Sequence, residues 1–107
     1  MTTQTLQDKA EGIRIESTSV AIKQDEFREQ INIDSEYFKG VGIVYIARMQ
    51  DVKFGFPWDV YAFRDATIVV SSNTPNISHI RAYTSQDVSP IQRIEEFKKI
   101  IEERSKQ

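Results

Sequence analysis

The sequence VGIVYIARMQDVKFGFPWDVYAFRDATIVVSSNTPNISHIRAY, residues 41–83, decides the fold. It is rich in β-branched and aromatic residues, contains no glutamate, and has a single lysine, Lys53. Strand-forming residues are therefore dense where helix-forming residues are scarce. This composition predicts a β-sheet over the whole stretch.

The stretch divides into strands at its polar and proline-containing breaks. Residues 41–49 are apolar on both faces as far as Arg48, which is typical of a central strand that is covered on both sides. Pro57 confines the segment around it to a sheet edge or a loop, because proline cannot donate a ladder hydrogen bond. Further strands are predicted at residues 59–63, 66–71 and 77–83.

Two breaks separate these further strands. Arg64 and Asp65 predict a tight reversal, but a long bulged strand through them stays open because they lack the favoured Asn-Gly chemistry. Residues 72–76 predict a strong turn. In the last strand Ile80 and Ala82 share one face, and His79, the only histidine in the chain, lies on the polar face.

The N-terminal part of the chain is less regular. Residues 1–11 are polar and without periodicity, which predicts a flexible terminus ahead of a single domain over residues 12–107. Isoleucines alternate with charged residues from position 13, which indicates a strand, with a bulge or turn near residues 17–19. Residues 25–33 fit either a strand or a helix, and their Ile-Asn-Ile alternation favours the strand. Residues 34–40 are interpreted as a connection.

A helix is predicted at the C-terminal end. Ser89 can cap it, Pro90 occupies the first helical position, and Gln92 completes a capping box. One apolar stripe follows the helical period, formed by Ile91, Ile94, Phe97, Ile100 and Ile101. We therefore predict an α+β fold, with an antiparallel sheet of about five strands and this amphipathic helix packed on one face.

Composition limits the classes of function. The net charge of −2 and the pI of about 5.4 argue against a dedicated nucleic-acid binder, which usually carries a basic excess. The chain has no cysteine, so thiol chemistry and thiolate metal sites are excluded. Its N-terminal residues lack the apolar region of a secretory signal, and no apolar run reaches the roughly 20 residues of a membrane span. We therefore expect a cytoplasmic protein.

Five aromatic residues crowd around Pro57: Phe54, Phe56, Trp58, Tyr61 and Phe63. The first three share one parity and the last two the other, so an extended chain points them to opposite faces of the sheet. A single helix hides only one face, and aromatic residues on the other face would indicate an interface. The alternative, that all five belong to the core, stays open.

We hypothesise that the chain is a small binding or regulatory protein rather than an enzyme. The candidate contacts are the aromatic side chains of Phe56, Trp58 and Tyr61 and the arginines Arg48, Arg64 and Arg81, because Trp, Tyr and Arg are the residue types that most often anchor interfaces. The expected partner is another protein or a second copy of the chain. No catalytic residue, metal ligand or cofactor is assigned.

Two alternatives from other classes remain. Asp34 followed by Asp51-Val52-Lys53 fits the loose signature of metal-dependent nucleases, in which two carboxylates hold Mg²⁺ and a lysine steadies the attacking water. The simpler interpretation is a turn in which Asp51 and Lys53 are solvated. The aromatic residues could instead stack on a small nucleotide or metabolite while arginines bind its phosphates, which would make the chain a ligand sensor.

Overall fold

The structure, a computed structural model, describes residues 12–105, and in them it shows one antiparallel sheet and three helices. The elements in chain order are β1 (Ile13–Val20), α1 (Gln24–Ile33), α2 (Ser35–Gly40), β2 (Ile43–Gln50), β3 (Pro57–Phe63), β4 (Ala66–Ser71), β5 (Ser78–Ser85) and α3 (Pro90–Ser105). The sheet order is β1-β5-β4-β3-β2. The predicted α+β class is confirmed, whereas the flexible terminus predicted at residues 1–11 lies outside the described residues.

The helices pack on one face of the sheet, which we call the covered face. Its buried side chains alternate along β3, β4 and β5, and the largest apolar group among them is Tyr61, Phe63, Ile68, Val70, Ile80 and Ala82. Phe97 of α3 lies at the centre of the core, with its ring centroid 5.4 Å from that of Phe63 and 5.6 Å from that of Phe27 in α1. The core therefore forms between this face and the helices, as the period-2 pattern requires.

The opposite face, which we call the open face, carries no helix from the described part of the chain. Its residues alternate with the buried ones and are half-buried or exposed, including Trp58, Val60 and Ala62 in β3 and His79 and Arg81 in β5. The sheet is therefore two-sided, with one face in the core and one in contact with solvent.

The turns predicted between the last three strands are confirmed. Arg64 and Asp65 connect β3 to β4, and Arg64 adopts the left-handed conformation with φ 55°. The turn from β4 to β5 is closed by hydroxyl groups, since Ser72 and Thr74 both donate hydrogen bonds to the carbonyl oxygen of Ile77. Side-chain hydroxyls thus organise the second of these reversals in place of Asn-Gly chemistry.

The strand interpretation of residues 25–33 was wrong, because this segment is helix α1. Phe27 and Ile31, four residues apart, both point into the core, whereas Ile33 is 76% exposed. The Ile-Asn-Ile alternation was therefore misleading, and the helical spacing of the two core residues decides the structure. The connection predicted at residues 34–40 was also wrong in part, since α2 occupies most of it.

Strand β2 is an edge strand and not the covered central strand that was predicted. Its apolar residues Val44, Ile46 and Met49 are 40%, 58% and 55% exposed. The β-bulge lies in β2, between Tyr45 and Ala47, rather than near residues 17–19, where β1 pairs with β5 without interruption.

The C-terminal helix begins where predicted, but only the Ser89 half of the predicted capping box is present, since the Gln92 side chain donates to Glu96 at 3.4 Å. The hydroxyl of Ser89 accepts the backbone N–H of Gln92 at 3.3 Å, which satisfies one free donor of the first turn. Ile94, Phe97 and Ile101 are buried, whereas Ile91 is 43% exposed and lies outside the apolar contact. None of the helices in residues 12–105 has the length and apolar character that crossing a bilayer requires.

The link between α2 and β2 depends on a glycine. Gly42 has φ +93°, and a Cβ placed there would lie 2.9 Å from Cγ of Arg64. Its carbonyl oxygen accepts the backbone N–H of Arg64 at 3.0 Å, so this glycine holds the β3–β4 turn against the end of α2. Glycine is required because it adopts positive φ without strain and leaves room for the neighbouring side chain.

We expect Gly42→Ala to lower the free energy of unfolding by about 1–3 kcal/mol, because alanine is strained at this φ and displaces Arg64. Gly40→Ala is the matched control, since nothing lies within 4 Å of the position that its methyl group would occupy. It should leave the stability unchanged or raise it by up to about 1 kcal/mol. Urea unfolding followed by circular dichroism measures both, and equal effects would contradict this role of Gly42.

Candidate functional site

The open face contains a groove of about 460 Å³ beside the β2–β3 loop. We call it the Trp58 groove, and the residues that define it are Phe54, Phe56, Trp58, Ser71, His79 and Arg81. The strand register explains its shape, because Trp58, Ser71 and His79 lie opposite one another on three neighbouring strands. The small serine therefore forms a floor between the tryptophan on one side and the histidine on the other.

The aromatic wall of the groove is held by the β2–β3 loop. The carboxylate of Asp51 accepts the backbone N–H groups of Lys53 and Phe54 at 2.8 and 2.9 Å, which closes an Asx turn. Gly55 follows with φ +80° and donates its N–H to the carbonyl oxygen of Asp51 at 2.8 Å. The Phe54 and Phe56 rings stack with centroids 5.9 Å apart. The loop thus presents two stacked rings, and Phe54 is 64% exposed.

The other side of the groove is polar and positively charged. The exposed guanidinium of Arg81 donates a hydrogen bond to the hydroxyl of Tyr83 at 3.3 Å. Nδ1 of His79 lies 3.1 Å from Oγ of Ser19, on the polar face of β5 where the sequence placed this histidine. The ammonium of Lys53 lies 5.5 Å from the Phe54 ring centroid. Arg81 thus brings positive charge to the groove and Asp51 brings negative charge, whereas Lys53 lies beside Phe54 on the loop, outside the lining residues.

The structure brings together three of the six residues predicted to bind a partner. Phe56, Trp58 and Arg81 line the Trp58 groove. Tyr61 is fully buried in the core. The remaining two are arginines on other parts of the surface and are described next.

Arg64 and Arg48 make structural contacts away from the groove. Arg64, in the β3–β4 turn, pairs with Glu96 of α3 at 3.1 Å, and its guanidinium lies 4.9 Å from the Phe63 ring centroid. Arg48 belongs to the covered face, where it lies opposite Asp59 on the neighbouring strand. The β-bulge in β2 explains the placement of Arg48, because one extra residue shifts every later side chain to the other face.

Asp59 is a fully buried carboxylate at the centre of a polar network under α1. Arg48 binds it in a bidentate manner, with Nε and Nη2 each 2.9 Å from a carboxylate oxygen. The Tyr45 hydroxyl donates to it at 3.2 Å and the Gln24 amide at 3.0 Å. The same Gln24 amide nitrogen also lies 3.1 and 2.9 Å from the carbonyl oxygens of Pro57 and Val70, so its two hydrogens are shared among three acceptors. The network therefore joins α1 to the middle of the sheet.

The parity of β3 is a sequence signal for this network, although it was not among the predictions. Asp59 shares its parity with Tyr61 and Phe63, so a strand that buries those rings must bury the carboxylate too. A buried carboxylate needs hydrogen-bonding and charged partners. That requirement predicts an arginine on the neighbouring strand, and Arg48 meets it.

Two arginines and two carboxylates balance the charge of the network, because Arg28 lies 3.4 Å from a carboxylate oxygen of Asp25. Nη2 of Arg48 also lies 2.6 Å from a carboxylate oxygen of Asp25, and this hydrogen bond holds the pKa of Asp25 below its ordinary value. The hydrogen bond to Asp59 raises the pKa of Arg48. Burial, and then the nearby Asp59 charge, raise the pKa of Tyr61, whose hydroxyl has no hydrogen-bond partner in residues 12–105. This arrangement supports structure and offers no free charge to a ligand.

The carboxylates of the nuclease-like signature are engaged separately. Asp34 accepts hydrogen bonds from Arg104 at 2.9 Å and from Gln30 at 2.7 Å, whereas Asp51 caps its own loop. Within residues 12–105 no group of three or more carboxylate or histidine side chains could hold a metal ion. The described geometry therefore provides no support for the nuclease alternative.

A larger depression of about 1020 Å³ lies between α1, the end of β1 and the end of α3. Its charged lining residues are paired with one another, Lys23 with Glu26 at 3.3 Å and Arg104 with Asp34 at 2.9 Å. The Arg104 guanidinium also lies 4.1 Å from the Tyr37 ring centroid. The Arg104–Asp34 pair joins α3 to the junction of α1 and α2, and the Lys23–Glu26 pair lies within the first turn of α1. We therefore assign the candidate site to the Trp58 groove.

Comparison of the chain with protein-family models, with curated proteins and with solved structures finds no match in any of the three. The function is therefore argued from the geometry and chemistry of the groove.

We expect Arg48→Met to lower the free energy of unfolding by about 3 kcal/mol, because it leaves the buried Asp59 carboxylate without its cation. This is the lower end of the range for buried pairs, since the Arg48 side chain is 31% exposed. The double variant Arg48→Met with Asp59→Asn keeps an acceptor for Gln24 and Tyr45 and has no buried charge. It should recover part of the loss in urea unfolding at neutral pH, and no recovery would contradict this account.

The Arg104 guanidinium holds the pKa of Asp34 below its ordinary value of 3.8. Because the pKa is lower in the folded chain, this pair stabilises the fold above that value and ceases to do so as the pH falls through the folded pKa. Asp34→Asn should therefore lose less stability than the parent chain between about pH 5 and pH 2. Arg104→Met should flatten the profile in the same way, and urea unfolding across this pH range measures both.

Proposed function

We propose that this chain is a non-enzymatic protein-binding module that holds a partner protein on its open face, at the Trp58 groove. The observation that carries the proposal is the aromatic wall itself. Phe54 is 64% exposed, and the half-buried Phe56 and Trp58 extend the same surface toward Arg81. Exposed aromatic surface next to an arginine is the composition of interface hot spots.

The groove is already organised for binding. Trp58 belongs to a strand that pairs on both sides, with Met49 and with Ser71, so its backbone is fixed. The Asx turn and the Gly55 hydrogen bond fix the loop that carries the phenylalanines. A partner would therefore order few groups on binding, which lowers the entropic cost of association.

The chemistry of the groove indicates the kind of segment that fits it. Apolar side chains would lie against Trp58 and Phe56, and a carboxylate would pair with Arg81. The hydroxyls of Ser19 and Ser71 can bond the backbone of an extended segment. Arg81 in the groove lining and Lys53 beside Phe54 favour a partner segment that carries carboxylates. We therefore infer a partner segment that has an apolar side chain flanked by carboxylates.

The groove also contains a serine–histidine contact, between Ser19 and His79, but it lacks the rest of a hydrolytic centre. A nucleophilic serine needs a base whose ring is oriented by a third group, usually a carboxylate. In the described part of the chain no carboxylate hydrogen-bonds the His79 ring, and its contact to Ser19 uses Nδ1. The contact therefore supports binding rather than catalysis.

The test is selection from a display library of short random peptides on the parent chain, with counter-selection on Trp58→Ala. We expect the enriched peptides to carry an apolar residue flanked by acidic ones. In fluorescence anisotropy the best labelled peptide should bind Trp58→Ala about thirtyfold more weakly, the effect of losing a hot spot of about 2 kcal/mol. Its binding should also quench or shift the emission of Trp58, the only tryptophan in the chain.

Charge reversals separate the groove from the rest of the surface. Arg81→Glu should weaken the selected acidic peptide, because it places like charges together. Lys99→Glu is the matched control, since this exposed lysine lies on α3, on the opposite side of the sheet. The proposal is overturned if peptides bind the parent chain and Trp58→Ala equally, or if both charge reversals act alike.

A further inference from the structure

Strand β1 is an unprotected edge of the sheet. It pairs with β5 without interruption from Ile13 to Val20, and no described residue pairs with its outer side. Ile13 and Ile15 are 52% and 53% exposed on the open face, and Arg14 and Glu16 are exposed at the rim of the covered face. A regular edge strand of this kind offers a complete row of backbone donors and acceptors to another strand.

The other edge, β2, is protected. Its β-bulge between Tyr45 and Ala47 disturbs the ladder, and α2 packs against the strand, where Ile43 is buried. Arg48 directs a guanidinium inward to Asp59 from the same strand. Bulges, covering helices and charges are the usual means by which sheet edges avoid pairing. β1 has no bulge, no proline and no lysine. Helix α3 also contacts β1, but it packs on the covered face and leaves Arg14 and Glu16 exposed.

We propose that a second copy of this chain pairs with β1, in an antiparallel ladder centred on Ile15, so that two five-stranded sheets form one continuous sheet. The two copies are related by a two-fold axis through that residue. The contact is isologous and closes on itself, because each copy contributes the same regular edge. The ladder borders the Trp58 groove, which Ser17, Thr18 and Ser19 of β1 also line, but Phe56, Trp58 and Arg81 take no part in it. The two proposals are therefore tested by different substitutions.

Charge selects this register. If the covered faces of both copies are to lie on the same side of the joined sheet, one possible register differs from the next by a shift of two residues. A ladder centred on Arg14 places two arginines opposite each other, and one centred on Glu16 places two glutamates opposite each other. The ladder centred on Ile15 instead places Arg14 of each copy opposite Glu16 of the other. Opposite charges across a ladder stabilise it and like charges destabilise it.

Apolar contacts favour the same register. The Ile15 side chains of the two copies contact each other at the centre of the ladder, on the open face. Ile13 of each copy lies opposite Ser17 of the other. Both isoleucines are about half exposed in a single copy, so pairing removes apolar surface from water. The open faces then lie on one side of the joined sheet, and both Trp58 grooves face in the same direction.

The test exploits the symmetry of the charged pair. The mass of the full chain is measured by sedimentation equilibrium from micromolar to millimolar concentration, with circular dichroism to confirm folding. We expect the parent chain to approach twice its 12.4 kDa mass. Arg14→Glu alone and Glu16→Arg alone should each remain at the monomer mass, because each places like charges opposite one another. Lys39→Glu, an exposed residue of α2, is the control for net charge and should dimerise normally.

An equimolar mixture of Arg14→Glu and Glu16→Arg should restore the dimer mass, because only the mixed pair has opposite charges at both contacts. A parent chain that stays monomeric throughout overturns the proposal. So do a dimer that survives both single reversals and a mixture that stays monomeric. A dimer lost in Trp58→Ala but kept in Arg14→Glu would place self-association on the open face and also overturn it.

Discussion

One ion pair with a fully buried carboxylate determines how the two layers of this protein meet. The Asp59 carboxylate is fully buried, and Arg48 binds it with two hydrogen bonds. Gln24 then connects the same carboxylate to α1 and to the backbone of two strands. Because a buried charge is tolerated only when every partner is in place, the pair fixes the β-bulge, the register of β2 and the position of α1 together.

The parts of the fold that depend on local chemistry could be predicted from the sequence. The Ser89 cap, the turn at residues 64 and 65 and the alternation around Ile80 all follow from short-range rules, and the structure agrees with them. The incorrect predictions concern how the elements are arranged relative to one another in the fold. Nothing within residues 41–49 indicates that the strand lies at an edge. The apolar spacing of α1 fits both the helical and the strand period, and only its packing against the sheet decides between them.

The candidate site could also be predicted only in part from the sequence. The crowding of aromatic residues around Pro57 pointed to the loop that carries the Trp58 groove, and parity separated Trp58 from Tyr61. The arginines could not be assigned in the same way, because a single bulged residue moves Arg48 from one face to the other. Sequence parity is therefore dependable only as far as the next irregularity in the ladder.

The strand order has a consequence for how the chain folds and opens. Strands β2 to β5 form a meander in which each strand pairs with its neighbour in the chain, whereas β1 pairs with β5 across most of the sequence. Closing that long loop costs more entropy than any hairpin in the meander. We therefore expect the first strand to join the sheet last and to detach from it first, with amide hydrogens that exchange with solvent ahead of those of the inner strands.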